Sequence, residues 1–277
     1  LRIAKCLPPY EEGKKQCTFN VMNPDFDSAL VSAKLAKISK NALWFIDNSD
    51  LDSITTDELN DLAKDFEGKI FDSDVRYFGL PTDVDKNGKV FIVMSHRLAN
   101  KDEGKMLLGY VAPWDLFPYG TVPVAGHNGT TYEKMPTNGG EFLYLITPNI
   151  VQEITGKRDL YFKEYIKPVM AHEFKHLLTD SYRCTHGIAL EPFWLEEPAA
   201  VAAQQLSGFG VDTNTHIQQK ANAGLEAPDA IRIAYEKNPP SISSRYAMYG
   251  FNFLMLWRQA EQIGHDVFWK RWTQDAG

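Results

Sequence analysis

The spacing of hydrophobic and polar residues changes along the chain, from the alternation typical of strands to the period typical of helices. In the first half, runs rich in β-branched and aromatic residues predict strands at 17–22, 41–47, 89–95 and 141–147, with a weaker alternation over 30–38. One helix is expected there, over 56–66, with Thr55 or Thr56 as its N-cap and Glu58 in its first turn. The second half predicts helices at about 160–180, 194–207 and 246–263.

This order of elements predicts an α+β fold made of three consecutive stretches. We expect a β-rich segment over 1–50, a middle part over 51–180 that ends in a long helix, and a helical part over 181–277. A stretch rich in Gly and Pro over 109–140 interrupts the middle part. Loops of that length are usually functional.

Composition and charge exclude two classes of protein. The chain has 277 residues with 44% hydrophobic and 12% aromatic content, which is enough to bury a substantial core. A net charge of -7 without a long basic run argues against a nucleic-acid surface. No apolar run is long enough for a transmembrane helix. The chain begins at Leu1 and has no apolar signal region, as expected where a signal or pro-segment is already absent.

Three cysteines leave the thiol chemistry open. Cys6 and Cys17 bracket a short segment that one disulfide can close, as in secreted proteins. Pairing of Cys17 with Cys184 is equally allowed by the sequence, and three free thiols are the remaining alternative.

A metal-binding signature lies in the helix predicted over 160–180. The run His172-Glu-Phe-Lys-His176 spells HExxH. Residues four apart lie above one another on a helix, so both imidazoles can reach one ion while Glu173, rotated by about 100°, flanks it. A solvated helix with two histidines fits poorly, because apolar residues flank the motif at 169–171 and 177–178. We therefore expect a zinc hydrolase site.

A hydrolytic zinc site needs a third protein ligand, which should lie downstream. The candidates are Asp180, His186, Glu191, Glu196 and Glu197. A metzincin would place a third histidine six residues after His176, where Tyr182 stands, and its glycine is missing too. We therefore do not expect a metzincin.

Resemblance to known families narrows this choice. The run Trp194-Leu-Glu-Glu-Pro198 resembles the WLNEG or WLEEG element by which gluzincins present their third ligand, and the resemblance names Glu197. Pro198 replaces the usual glycine, and Val201 stands where many gluzincins carry an acid. Between about residues 17 and 257, several segments are similar to the hyicolysin-type family of secreted bacterial metallopeptidases: 78–90, 109–110 with 115–118, 141–144, 171–176 and 194–197.

The resemblance implies a zincin-like fold and a secreted bacterial endopeptidase that acts on proteins or peptides. His172, His176 and Glu197 would hold Zn²⁺, and Glu173 would be the general base that takes a proton from a zinc-activated water. Two other functions stay open. One is a zincin-fold surface or binding protein without efficient turnover, against which the intact Glu173 argues. The other is a zinc hydrolase that acts on a non-peptide amide.

Tyr246 and Tyr249 are candidates to stabilise the oxyanion that forms during hydrolysis. Gluzincins often place a tyrosine at a comparable distance downstream, and a hydroxyl can donate to the developing charge. Ordinary core tyrosines on an amphipathic helix are the alternative for each of them. Asp180, one turn beyond His176, either orients an imidazole or is a polar residue at the helix end, and we favour the helix end.

Two further features carry weaker hypotheses. Asp83, Asp85 and Asn87 match the first half of a calcium loop, but position twelve is Met94, so a tight Asn-Gly turn before a strand is the simpler interpretation. The strand predicted over 141–147 is a candidate edge strand to which an extended peptide adds, with a plain internal strand as the alternative.

Overall fold

The computed structural model describes residues 6–117, 136–226, 234 and 241–275, and within them six strands form one mixed sheet. These strands are β1 (Gln16–Met22), β2 (Ser28–Ile38), β3 (Ala42–Asp47), β4 (Val90–Met94), β7 (Gly109–Tyr110) and β8 (Phe142–Leu145). Their order is β1-β2-β3-β4-β8-β7. The short strands β5 (Ala99–Asn100) and β6 (Lys105–Met106) pair separately. The strands predicted over 17–22, 41–47, 89–95 and 141–147 are confirmed.

The burial of each strand explains its sequence pattern. β3, β4 and β8 run parallel in the middle of the sheet, and every residue in them is buried. Strands covered on both faces read as continuous apolar runs, which is what the sequence shows. β1 and β2 are antiparallel and alternate between buried and more accessible positions, so every second residue in their central parts is apolar and buried: Cys17, Phe19 and Val21 in β1, and Val31, Ala33 and Leu35 in β2.

Helices make up most of the remaining structure. Their bounds are α1 (Thr56–Asp65), α2 (Asp72–Phe78), α3 (Pro148–Thr155), α4 (Arg158–Leu160), α5 (Ile166–Thr185), α6 (Phe193–Leu206), α7 (Thr215–Glu226), α8 (Ile242–Ile263) and α9 (His265–Gln274). Wider π-helical turns over 66–71 and 161–165 lead into α2 and α5. Thr55 caps α1 in a capping box with Glu58, as one of the two predicted alternatives had it. The mixed α+β class is confirmed.

The three predicted stretches do not coincide with breaks in this architecture. Strands from both sides of residue 50 share the main sheet, and residue 180 lies inside α5. α5 packs on β7 and β8 of the sheet, and its residues Met170, Phe174 and Leu177 are all buried, with the Phe174 ring against Phe66 and Phe71. α6 packs on α5, and α8 packs on both α6 and α7. Helix α5 is therefore the element that joins the sheet to the helical part.

Helices α7 and α8 approach each other so closely that their backbones touch. A Cβ atom added at Gly250 would lie 1.7 Å from the carbonyl oxygen of Lys220, and one added at Gly224 would lie 2.3 Å from the amide nitrogen of Phe251. Only glycine fits at these two positions without moving a helix.

The prediction of an edge strand at 141–147 is wrong. β8 is paired on both sides, with β4 and with β7, so it is internal. Among the described residues, β7 is the last strand on that side of the sheet. The remainder of the Gly- and Pro-rich stretch over 118–135 lies outside the described residues.

One of the disulfide alternatives is present in the structure. Cys6 and Cys17 form a disulfide with their Cα atoms 5.4 Å apart, and Cys184 is free. In the part of the chain that the structure describes, no helix combines the length and hydropathy needed to cross a membrane.

Candidate metal centre and its cleft

Two helices bring the predicted metal ligands together. His172 and His176 lie one turn apart on α5 with their rings 4.7 Å apart, and Glu197 faces them from the second turn of α6. The Glu197 carboxylate lies 3.2 Å from Nε2 of His172 and 3.7 Å from Nε2 of His176. One donor atom from each residue falls within 4.8 Å of the other two.

This donor set fits zinc. A tetrahedral zinc ion with bonds of about 2.0–2.2 Å separates its ligand atoms by roughly 3.3–3.6 Å. The two distances from Glu197 fall close to that range. Two imidazole nitrogens and one carboxylate oxygen are also the ligands found in hydrolytic zinc sites, and three protein ligands leave a position open.

Glu196 and Glu197, although adjacent, contact different atoms. Glu196 accepts a hydrogen bond from Nδ1 of His176 at 2.8 Å, which leaves Nε2 of that ring directed toward Glu197. Neighbouring residues on a helix point about 100° apart, so one carboxylate reaches the donor cluster and the other reaches the far side of His176. Such a bond to the second nitrogen orients the ring and makes its free nitrogen a better ligand.

The two histidines differ in their protonation. Burial lowers the pKa of His172 to about 4, so this ring is neutral near pH 7. Burial acts the same way on His176, but the charges of Glu196 and Glu197 outweigh it and raise the pKa of His176 to about 10. For Glu197, burial is outweighed by the two histidines, and its pKa is held below the ordinary value. The cluster therefore contains ionised carboxylates before any ion binds.

Glu173 lies beside the donor cluster without belonging to it. Its side chain is buried, and this burial raises the pKa of Glu173 to about 8. A carboxylate with a pKa near the working pH can both accept and release a proton. Gly109 on β7 is packed against it, because a Cβ atom there would lie 2.9 Å from Cγ of Glu173.

His172 and Glu173 line a cleft of about 210 Å³ beside the donor cluster. The cleft is lined by the segment 106–109 of β6 and β7, by α5 with Gln204 of α6, and by α7 and α8. Its polar lining residues are Glu164, Tyr165, His172, Glu173, Gln204, Asn214, His216, Lys220, Arg245 and Tyr249.

The structure separates the two candidate tyrosines. Tyr249 is buried, lines the cleft and lies against the Glu197 carboxylate, to which its hydroxyl can donate. The hydroxyl of Tyr246 instead pairs with Nε2 of His216 at 2.8 Å. Tyr249 is therefore the one that faces the donor cluster.

Sequence reasoning missed several polar residues of the cleft, among them the basic residues His216, Lys220 and Arg245. The first two lie four residues apart on α7, a helix that was not predicted. The one available signal was their spacing of four residues, which is also that of His172 and His176. It places both side chains on one face of a helix, but only once the helix itself is known.

The other candidates for a third ligand lie elsewhere. His186 is exposed and stacks on Tyr182, and Glu191 pairs at 2.9 Å with the buried Lys175. Asp180 is buried within α5, where burial and the charge of Glu196 raise its pKa. The favoured interpretation of Asp180 as a residue at the helix end is wrong, since α5 continues to Thr185.

The candidate calcium loop has a turn geometry of its own. Asn87 donates to Asp85 at 2.6 Å and accepts from the amide of Lys89, as expected for a tight turn before β4. Asp83 and Asp85 lie within 4.8 Å of Glu141, whereas Asn87 is not part of that group. Calcium binding stays a prediction.

Comparison with known proteins finds similarity to a metalloprotease in sequence and to solved structures in fold. No family model matches the chain. It is 25% identical over 226 residues to the neutral metalloprotease ShpI of Staphylococcus hyicus, which covers 80% of this chain and 42% of the relative. The structure of native yeast LTA4 hydrolase matches with a TM-score of 0.47 and 12% identity, over 95% of this chain and 39% of that protein.

The chain thus spans about two fifths of the length of each of these proteins. The sequence similarity supports a relationship to metallopeptidases, and the narrower assignment to the hyicolysin type stays a prediction.

Proposed function

We propose that this chain is the catalytic part of a zinc-dependent endopeptidase. The observation that carries the proposal is the convergence of His172, His176 and Glu197 on one point, beside a buried Glu173. The similarity to a neutral metalloprotease supports the same reaction class. The ligand set, the base and the substrate are proposals.

Each residue of the site has a task in peptide hydrolysis. When bound, zinc supplies a Lewis acid that lowers the pKa of water to about 7 and polarises a carbonyl group. Glu173 takes the proton of the attacking water and later delivers it to the leaving amine, for which its raised pKa is suited. Glu196 holds the His176 ring in position. Tyr249 donates its hydroxyl to the carbonyl oxygen as negative charge develops there.

Strand β7 is the proposed binding element for the peptide backbone. It is the last strand of the sheet among the described residues and it passes directly beside Glu173. An extended peptide can add to such an edge through main-chain hydrogen bonds. This replaces the earlier hypothesis for 141–147 and puts the scissile bond within reach of the base.

We also propose that the protein works outside a bacterial cell. The Cys6–Cys17 disulfide supports this location, because disulfides persist in oxidising compartments and are rare in the cytosol.

Calcium is a further proposal, for the loop at Asp83 and Asp85. Glu141 is 1% exposed, and its Oε2 atom has no hydrogen-bond partner in the described structure, so a cation beside it would be stabilised. Addition of Ca²⁺ to the zinc-loaded protein should raise the melting temperature, and Asp83→Asn should remove that increase.

The Glu173→Gln variant tests the proposed reaction. The purified parent should hold about one zinc per chain, and the variant should keep it, while casein hydrolysis falls by several orders of magnitude because glutamine has no proton affinity. Glu153→Gln, at a carboxylate that is 50% exposed on α3, is the matched control and should behave like the parent. Near-normal turnover in Glu173→Gln would contradict the mechanism, and a metal-loaded parent without any hydrolysis would favour a binding protein.

A further inference from the structure

Two cationic side chains line the cleft without an acidic partner. Lys220 is 8% exposed, and Arg245 has a buried Nε atom that makes no hydrogen bond. Neither side chain forms an ion pair or a hydrogen bond with any part of the described chain. Burying a charge without a partner costs several kcal/mol, so such a pair calls for an explanation.

A second buried lysine in the same protein shows what is missing. Lys175, which is fully buried, is held by the Glu191 carboxylate at 2.9 Å. Around Lys220, Glu173 and Glu197 exert an attraction, but both lie beyond ion-pair distance, and Glu197 is already bonded to His172. A divalent ion in the donor cluster would neutralise these carboxylates and leave Lys220 with less compensation still.

The fold holds the two cations on one side of the cleft. Lys220 lies four residues after His216 on α7, and Arg245 lies four residues before Tyr249 on α8, so each pair shares a helical face. The Lys220 ammonium lies 5.5 Å from the centre of the Tyr249 ring, which contacts Glu197. Gly250 brings α8 into contact with the Lys220 carbonyl. Lys220 therefore lies near the donor cluster, and Arg245 lines the same cleft.

We propose that Lys220 and Arg245 bind a carboxylate of the peptide substrate, and that the cleft therefore selects acidic peptides. This rests on the proposed peptidase function and names its substrate class. A carboxylate would supply an acidic partner for both cations. The planar guanidinium of Arg245 would bind it in a fixed orientation, and the Lys220 ammonium would add a positive charge. The carboxylate comes either from an acidic side chain or from the C-terminus of the peptide.

Three fluorescent peptides of otherwise identical sequence distinguish these sources. One carries Glu and an amidated C-terminus, one carries Gln and an amidated C-terminus, and one carries Gln and a free C-terminal carboxylate. Their affinities are measured by fluorescence anisotropy on zinc-loaded Glu173→Gln, which should not cleave them. We expect one acidic peptide to bind roughly 10- to 100-fold more tightly than the neutral one, as for a hydrogen-bonded charge.

Variants then assign this preference to the two cations. Lys220→Met and Arg245→Met, each in the Glu173→Gln background, should bring the acidic peptide close to the affinity of the neutral one, while the affinity of the neutral peptide changes little. Arg258→Met is the matched control, because Arg258 also lies on α8 but is 70% exposed and pairs with Glu261. If one of the two cleft variants does not fold, the other still decides the result.

Equal affinities for all three peptides would overturn the proposal, as would a preference that survives both cleft variants. Because binding is measured without turnover, these results do not depend on hydrolysis. Cleavage of all three peptides at equal rates by the parent would overturn the selectivity and leave the peptidase function standing. If the peptides bind selectively but the parent cleaves none of them, the selectivity stands and the peptidase function is overturned.

Discussion

The cleft has two helical walls that are built in different ways. The wall formed by α5 and α6 is joined by polar side chains, since Glu196 bonds His176 and Glu191 bonds Lys175. The wall formed by α7 and α8 is joined by backbone contact at Gly224 and Gly250. Each of these four side chains of the first wall has a polar partner, whereas Lys220 and Arg245 of the second have no acidic partner among the described residues.

This difference corresponds to two separate requirements of a hydrolytic site. Metal ligands need fixed orientations, and hydrogen bonds to their far sides provide these. Groups that recognise a substrate need unused bonding capacity, which glycine contacts preserve because they hold helices together without using polar side chains. The variants below test this division.

The largest effect is expected from the adjacent acids of the first wall. Glu197→Ala should lose zinc affinity by more than 100-fold, because only two ligands remain, while Glu196→Ala should lose about 10- to 100-fold or less, as outer partners of ligands do. Zinc titration of both metal-free variants measures this. Tight binding by Glu197→Ala together with loss in Glu196→Ala would reverse the assignment.

Tyr249 lies on α8, in the second wall, but its hydroxyl should take part in the reaction at the donor cluster of the first wall. Tyr249→Phe should lower kcat by roughly 10²-fold with zinc content and melting temperature little changed, because its hydroxyl acts on charge that develops in the transition state. Tyr246→Phe is the control, since that hydroxyl pairs with His216, and it should stay near the parent. If both variants retain parent activity, the donor is another group.

The glycine contact of the second wall predicts a stability effect. Gly250→Ala should destabilise the fold by about 1–3 kcal/mol or more, because the new methyl group meets the Lys220 carbonyl and α7 has to move. Gly68→Ala, where a Cβ meets nothing within 4 Å, should be neutral or stabilise by up to about 1 kcal/mol. Urea unfolding of both variants gives the comparison. Equal stability of the two would mean that the helices are not in contact.

The smallest expected effect is the release of protons when zinc binds. At pH 7 His176 is protonated, because its pKa is raised to about 10, whereas His172 with a pKa of about 4 is neutral. Zinc binding should therefore release at least one proton per chain, and zinc affinity should rise with pH up to about 10. Calorimetry in buffers of different ionisation enthalpy counts these protons. A release near zero would show that His176 is already neutral.

The helices of the first wall and α8 of the second could be predicted from the sequence, whereas α7 could not. HExxH carries its own geometry, so α5 and its three residues were identified directly, and the resemblance supplied Glu197. Helix α7 escaped prediction because its buried face carries only Ile217 and Ala221 as apolar side chains, and Gly224 serves packing rather than helix formation. The edge strand was misplaced for a similar reason, since β7 has only two residues and its pairing depends on distant β8.

Gly109 sets the distance between the backbone of β7 and the side chains of Glu173 and Val169, because any other residue would place a Cβ atom between them. With hydrogen in place of a side chain, the backbone of β7 reaches van der Waals range of Glu173 and Val169. A single methyl group there would push the strand and the carboxylate apart by several tenths of an ångström. In the proposed enzyme, the absence of a Cβ atom at Gly109 therefore sets the distance between a peptide bound to β7 and the Glu173 carboxylate. Every larger residue at this position would move the scissile bond away from that base.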